Sequence, residues 1–145
     1  MKKMTIIDFA EKYTRKYDEL TFLREKVNGI WTETTFHETR EEAYKIGAGL
    51  HQLGLKKGDK VALYARNSAE WGIAYLAVVA YDAVVVPFLP DFLASAVVEL
   101  STFSECRMMI CDNVAFDLLK ADKSLLDGLN AIDGFTCTVN VKDIS

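Results

Sequence analysis

From Lys60 onward the chain repeats one pattern: a short β-rich apolar run, a turn, a helical stretch and another apolar run. The runs cover 60–65, 84–88, 107–111 and 136–141, and their starts lie 24, 23 and 29 residues apart. Such intervals hold a helix with two short loops, so consecutive runs are expected to be parallel strands joined by right-handed crossovers. Val84-Val85-Val86 and Met108-Met109-Ile110 are apolar without alternation, as in strands covered by helices on both faces. The pattern predicts an α/β fold, a layered helix–sheet–helix with a mainly parallel sheet and crossover helices near 68–82, 92–103 and 113–121. Asn67-Ser68, Pro90-Asp91 and Asp112-Asn113 stand where those helices begin and supply cap chemistry at each junction.

The residues before Lys60 follow a different plan. Ile6, Phe9, Ala10, Tyr13 and Tyr17 recur at helical spacing, which predicts an amphipathic helix over 5–17. Leu20–Val27 and Ile30–Thr35 are β-rich runs joined by Asn28-Gly29, the pair that best tolerates the positive φ angles of a type I′ hairpin turn. Thr35 and Glu38 have capping-box spacing, so a helix should start near Phe36 and turn Ala43, Ile46, Gly47, Leu50 and Leu53 inward. Gly47 and Gly49 fit close packing, and Gly54 fits a left-handed helix end. The expected organisation is a single α/β subdomain over 1–145, with helix, hairpin and helix in 1–59 and a βαβαβαβ unit in 60–145.

Composition narrows the function classes. A chain of 145 residues can bury roughly 70% of its unfolded surface, enough for one core without disulfides or metals. The net charge of −4 is uneven: residues 1–60 carry 12 Lys/Arg against 10 Asp/Glu, residues 61–145 carry 5 against 11. No basic run alternates with aromatics in the sequence, which argues against a nucleic-acid partner. Cys106, Cys111 and Cys137 are odd in number and sit in apolar or β-branched surroundings, the usage of reduced thiols in a cytoplasmic core. His37 and His51 both fall in the early helix, far from the cysteines, so no zinc spacing appears. Lys2 and Lys3 could open a leader peptide, but Thr5, Asp8 and Glu11 interrupt the apolar stretch it would need. Trp71 to Leu89 approaches spanning length yet contains Asp82 and Pro87, and reads as buried helix then buried strand, not as a transmembrane segment.

Ligands of open α/β sheets sit beyond the carboxyl ends of the strands. Arg66, Asn67 and Ser68 lie at such an end and admit two readings: an anion site built from a cation and helix N-terminal amides, or simple helix capping. No glycine-rich phosphate loop follows a strand, because Gly47-Ala48-Gly49 lies within a helical pattern and Gly128 and Gly134 are isolated. Asp112 closes a strand but lacks the acidic pair and lysine of a phosphoacceptor site. Ser68, Ser95, Ser101 and Ser104 have no histidine on a neighbouring loop. Glu41-Glu42 has the look of a solvated helix face. No catalytic residue and no metal site can therefore be assigned from the residues.

A family resemblance supplies what the residues alone do not. Its pieces, in order, are Trp31 with Thr35-Phe36-His37-Glu38, Gly49-Leu50, and Leu53-Gly54-Leu55-Lys56-Lys57-Gly58-Asp59-Lys60-Val61-Ala62-Leu63. Asn67-Ser68-Ala69-Glu70-Trp71, Leu76-Ala77, Ala83-Val84-Val85-Val86-Pro87 and Leu100 through Cys111-Asp112 continue it. With these pieces the segment from Trp31 to Asp112 resembles the N-terminal region of adenylate-forming acyl-activating enzymes (the AMP-binding family), most closely long-chain fatty-acid–CoA ligases. The resemblance implies a two-step reaction in which ATP and a fatty acid form an acyl-adenylate and coenzyme A then displaces AMP, with magnesium accompanying ATP. The family's phosphate loop, adenylate motifs and C-terminal lysine have no counterpart here, so no catalytic or cofactor residue carries over.

On that resemblance the chain is expected to be an N-terminal fragment whose partner is the remainder of its own catalytic domain. It should be inactive alone, bind no ATP, magnesium or coenzyme A, and self-associate through the truncated face. The intact enzyme would be cytoplasmic and peripheral to membrane. Luciferase-like and fatty acyl-AMP ligase relatives share the same architecture, and a stand-alone interaction module is the reading from another class.

Overall fold

In the computed structural model, which describes residues 3–144, Thr5 caps the first helix. Its hydroxyl accepts from the Asp8 amide at 3.1 Å, and the Thr5 amide donates to the Asp8 carboxylate at 3.0 Å. Lys2 of the basic pair and Ser145 lie outside the described residues. This first helix, α1 (Ile6–Lys16), leads into a hairpin of β1 (Thr21–Val27) and β2 (Ile30–Thr35), whose turn places Asn28 at φ 50° and Gly29 at φ 81°. The Thr35–Glu38 capping box is formed at 3.1 and 2.8 Å and opens α2 (Phe36–Gln52). Helix α2 ends in a Schellman arrangement: Gly54 has φ 106°, its amide donates to the His51 carbonyl, and the Leu55 amide donates to the Leu50 carbonyl.

The second part alternates strand and helix. Strand β3 (Lys60–Tyr64) leads through α3 (Ala69–Ala80) to β4 (Val84–Phe88), and α4 (Ala94–Phe103) leads to β5 (Met108–Cys111). Two further helices, α5 (Asn113–Ala121) and α6 (Lys123–Asn130), precede β6 (Cys137–Asn140) and a closing 3-10 turn, Val141–Asp143. The four strands pair in parallel in the spatial order β4-β3-β5-β6. The chain thus builds outward from β3 in one direction to β4, then returns past it to β5 and β6.

That reversal sorts the helices onto two faces. On one, Leu50 of α2 and Ala74, Ala77 and Val78 of α3 pack on Val61, Leu63, Met108 and Ile110. On the other, Val97, Leu119 and Leu129 of α4, α5 and α6 pack on Ala62, Tyr64, Met109 and Cys111. Both layers are dry, and each large side chain in them contributes about 1.5–3 kcal/mol by leaving water. Gly47 is required on the first face, since a Cβ there would overlap the Tyr81 ring.

Four local expectations need correction. Helix α4 starts at Ala94 behind Leu93, with no side-chain cap, so Pro90-Asp91 does not cap it. That loop is held instead by Tyr64, whose hydroxyl donates to the Phe92 carbonyl at 2.8 Å. Helix α6 was not anticipated; it opens on Asp122, whose carboxylate accepts from the Ser124 amide at 3.0 Å. Strand β6 is shorter than 136–141, because Thr136 turns its hydroxyl onto the Arg107 carbonyl and Val141 enters the 3-10 turn. Cys106 and Cys111 are fully buried, but Cys137 on edge strand β6 is only half-buried; all three are unpaired. Burial pushes the Cys106 and Cys111 thiols up to about 11 and about 12. Trp71–Leu89 divides into α3 and β4, and among the described residues no helix is long and apolar enough to cross a membrane.

Candidate functional site at the switch point

Adjacent strands whose connections leave in opposite directions open a crevice at their carboxyl ends, the usual ligand position of such sheets. Here the crevice lies between β3 and β5. A cleft of about 510 Å³ occupies it, floored by Arg66, Asn67, Ser68, Asp112 and Asn113. The hairpin leans over it from one side through Glu25, Lys26, Val27 and Asn28, and Lys142 closes another. A smaller space of about 150 Å³ opens beyond Arg66 and Asp112 toward Tyr64, Pro90 and Leu118.

Asp112 organises the floor. It caps α5 by accepting from the Ala115 amide at 2.9 Å, and its other oxygen accepts from the Arg66 amide at 3.0 Å. The Arg66 Nε lies 3.5 Å from that second oxygen. Burial works to raise the Asp112 carboxyl, but the amide bonds from Ala115 and Arg66 and the Arg66 charge outweigh it and hold the carboxyl below its ordinary value. Next to it the Tyr64 hydroxyl is pushed up, first by burial and then by the Asp112 charge. Behind Asp112, the Asn140 amide donates to the Asn113 side chain, and the Lys142 amide donates to Asn140 Oδ1 at 3.1 Å.

The three residues singled out from the sequence lie together on this floor. Ser68 caps α3, its Oγ accepting from the Trp71 amide at 3.1 Å. The Ala69 amide donates to Glu25 Oε2 of the hairpin at 3.2 Å. These two helix N-terminal donors of α3 are thus engaged by the chain's own oxygens. Arg66 leans on Asp112 yet keeps 67% of its side chain exposed to the cleft, and Asn67 is exposed beside it.

Two pairings escaped sequence reading. Glu25 reaches Ala69 across 44 positions, and Asp112 reaches Arg66 across 46; neither pairing has a local signature, because it depends on the strand order. The floor as it stands does not fit a triphosphate. The amides of Ala69, Trp71 and Ala115 are already bonded, and Glu25, Glu70 and Asp112 add negative charge. His37 and His51 lie on α2, away from the cleft linings. Among the described residues no three His, Cys, Asp or Glu side chains gather closely enough to hold a metal.

Comparison with known proteins gives this crevice its context. Long-chain-fatty-acid–CoA ligase FadD15 of Mycobacterium bovis is 29% identical over 89 residues, which are 61% of this chain and 13% of that protein. Long chain acyl-CoA synthetase 1 of Arabidopsis thaliana is 32% identical over 120 residues, 82% of this chain and 18% of its own length. The chain therefore spans less than a fifth of these relatives. The crystal structure of a coronafacic acid ligase from Pectobacterium brasiliense shares the fold with a TM-score of 0.80 at 20% identity, over 94% of this chain and 25% of that one. The sequence as a whole matches the AMP-binding enzyme description over residues 9–141. This chain belongs to the AMP-binding enzyme family.

Proposed function

We propose that the chain is the N-terminal scaffold segment of a ligase that activates a long-chain fatty acid with ATP and magnesium and passes it from the acyl-adenylate to coenzyme A. The observation that carries this reading is the family match over 9–141, combined with relatives named as acyl-CoA ligases that are several times longer. The segment supplies a rigid wall: a dry parallel sheet, with the switch-point cleft at its carboxyl edge. Of Arg66, Asn67 and Ser68, the exposed Arg66 is the position of that wall assigned to meet a negatively charged group, with Asn67 beside it and Ser68 held in the α3 cap. The reacting groups and the phosphate cradle lie on the remainder of the protein, so the 145 residues are inactive alone.

The remainder is assigned to the open edge of the sheet. Strand β4 is an edge strand with Val84 47% exposed; Leu89 and Leu93, which follow it, are 66% and 75% exposed, and Phe103 at the end of α4 is 85% exposed. Apolar side chains this exposed mark a surface that another body covers. The same reading places the intact enzyme in the cytoplasm, in peripheral contact with membrane. Thioester formation by a chain extended downstream tests the substrate class. Acids of graded length should be joined to coenzyme A with long-chain acids preferred; preference for an aromatic or short acid would overturn that assignment.

A further inference from the structure

Phe9, Tyr13, Tyr17, Phe36 and Phe22 stand in a row across α1, α2 and the hairpin, with successive ring centroids 4.4, 5.9, 5.7 and 4.4 Å apart. Strand alternation puts Arg24 and Lys26 on one face of the hairpin, and Phe22 precedes them at the bulge between Thr21 and Leu23. Trp31, opposite Lys26, extends the row, with the Arg24 guanidinium carbon 5.2 Å and Lys26 Nζ 5.8 Å from its ring. Lys12 and Lys16 lie over Tyr13 and Tyr17 at 5.4 and 5.1 Å. Phe9 and Trp31 are 56% and 57% exposed, and Ile30 at the hairpin turn is 70% exposed.

Residues 4–36, which hold this face, carry 5 Lys/Arg and 6 Asp/Glu, and among the described residues each of those acids except Glu19 is held by an arginine or a backbone amide. Glu11 pairs with Arg15, Glu33 with Arg24, Asp18 with Arg40, and Glu25 with the α3 N-terminus. Among the described residues Lys12, Lys16 and Lys26 make no ion pair. We propose that this aromatic and basic face rests on the surface of an anionic lipid bilayer. Rings with one apolar body and a polar rim settle at headgroup depth, and unneutralised lysines are drawn to the anionic surface. Lysine is depleted at the cores of protein interfaces, so the same composition favours lipid over a protein partner. The proposal rests on the peripheral association read above and names the face responsible.

The test uses the 145-residue chain and vesicles of phosphatidylcholine with or without phosphatidylglycerol. Co-sedimentation should occur with the anionic vesicles and weaken with salt. Replacing Lys12, Lys16 and Lys26 together with Gln should lower partitioning on the order of 100-fold, since each lysine near the surface is worth about fivefold. In a Trp71→Phe variant, Trp31 is the sole tryptophan, and its emission should shift to the blue and be quenched by bromine-labelled acyl chains. Absence of vesicle binding, or binding unchanged in the triple lysine variant, would overturn the proposal. So would an emission shift driven by protein concentration without lipid, which would assign the face to a second copy. Failure here is separable from failure of the ligase reading. An extended chain that ligates a soluble acid without binding vesicles refutes only the membrane face, and a vesicle-binding chain without ligation refutes only the activity.

Discussion

The aromatic row across α1 and the hairpin and the aliphatic patch along β4 and α4 are both open to water, but cations accompany only the first. Lys12, Lys16, Arg24 and Lys26 are interleaved with the rings of the row, whereas residues 67–106, which contain the patch, include no Lys or Arg at all. Leu89, Leu93, Leu100 and Phe103 stand there among Asp91, Glu99 and Glu105. Equal exposure therefore has two meanings. A surface of rings and cations can stay hydrated or meet lipid headgroups, while one of branched aliphatics and a bare phenyl ring gains most from being buried against more protein.

Changes at Phe103 separate these meanings most sharply. In the 145-residue chain, where Phe103 is 85% exposed, Phe103→Ala should change stability by no more than about 0.5 kcal/mol in denaturant titration. In a chain extended to the length of its relatives the same change should cost about 3–5 kcal/mol, the range for a buried phenyl ring. An equal, small effect in both lengths would remove the β4–α4 edge as the covered surface. Leu50→Ala sets the scale: fully buried under the sheet, it should cost about 2–5 kcal/mol in either length.

Asp112 gives a smaller effect with a pH signature. Asp112→Ala removes the α5 cap and the Arg66 contact, and should cost about 1–2 kcal/mol at neutral pH. Because the folded carboxyl lies below its ordinary value of 3.8, the stability that ionisation lends is complete above that value and is lost as pH falls through the lower folded one. The gap between wild type and Asp112→Asn should accordingly close in acid; a gap that persisted would place the effect in packing. Thr35→Ala, which deletes the α2 capping box, should cost about 1 kcal/mol. Smallest of all, Trp31→Ala should leave stability within about 0.5 kcal/mol in both lengths, since the ring is 57% exposed here and a lipid-facing ring stays uncovered by further protein. A loss comparable to that at Phe103 in the extended chain would assign the row to protein contact as well.

What the sequence discloses here is local, and what it conceals is assembled. Asn28-Gly29, the Thr35–Glu38 box and the Gly54 cap each act within a few residues, and each forms where its spacing indicates. The parallel strands were legible from the intervals between apolar runs, because crossover length alone excludes hairpins. The strand order was not, since no residue in Val84–Phe88 or Met108–Cys111 selects its neighbour; hence the Arg66–Asp112 and Glu25–Ala69 bonds stayed hidden. Pro90-Asp91 misled because the tertiary bond from Tyr64 to Phe92 displaced the start of α4. Helix α6 was obscured by Gly128, whose missing side chain lets Val98 of α4 approach closely. The aromatic row is the extreme case: its basic and aromatic residues are scattered from Phe9 to Phe36 and become one face only when α1, the hairpin and α2 come together.

The central claim is that these residues are one wall of an adenylate-forming site whose reacting groups lie elsewhere in the protein. ATP–pyrophosphate exchange with a fatty acid, run on the 145-residue chain and on the same chain extended downstream, tests it directly. Exchange by the extended chain alone is the expected result; exchange by the 145 residues themselves, or by neither, would contradict it.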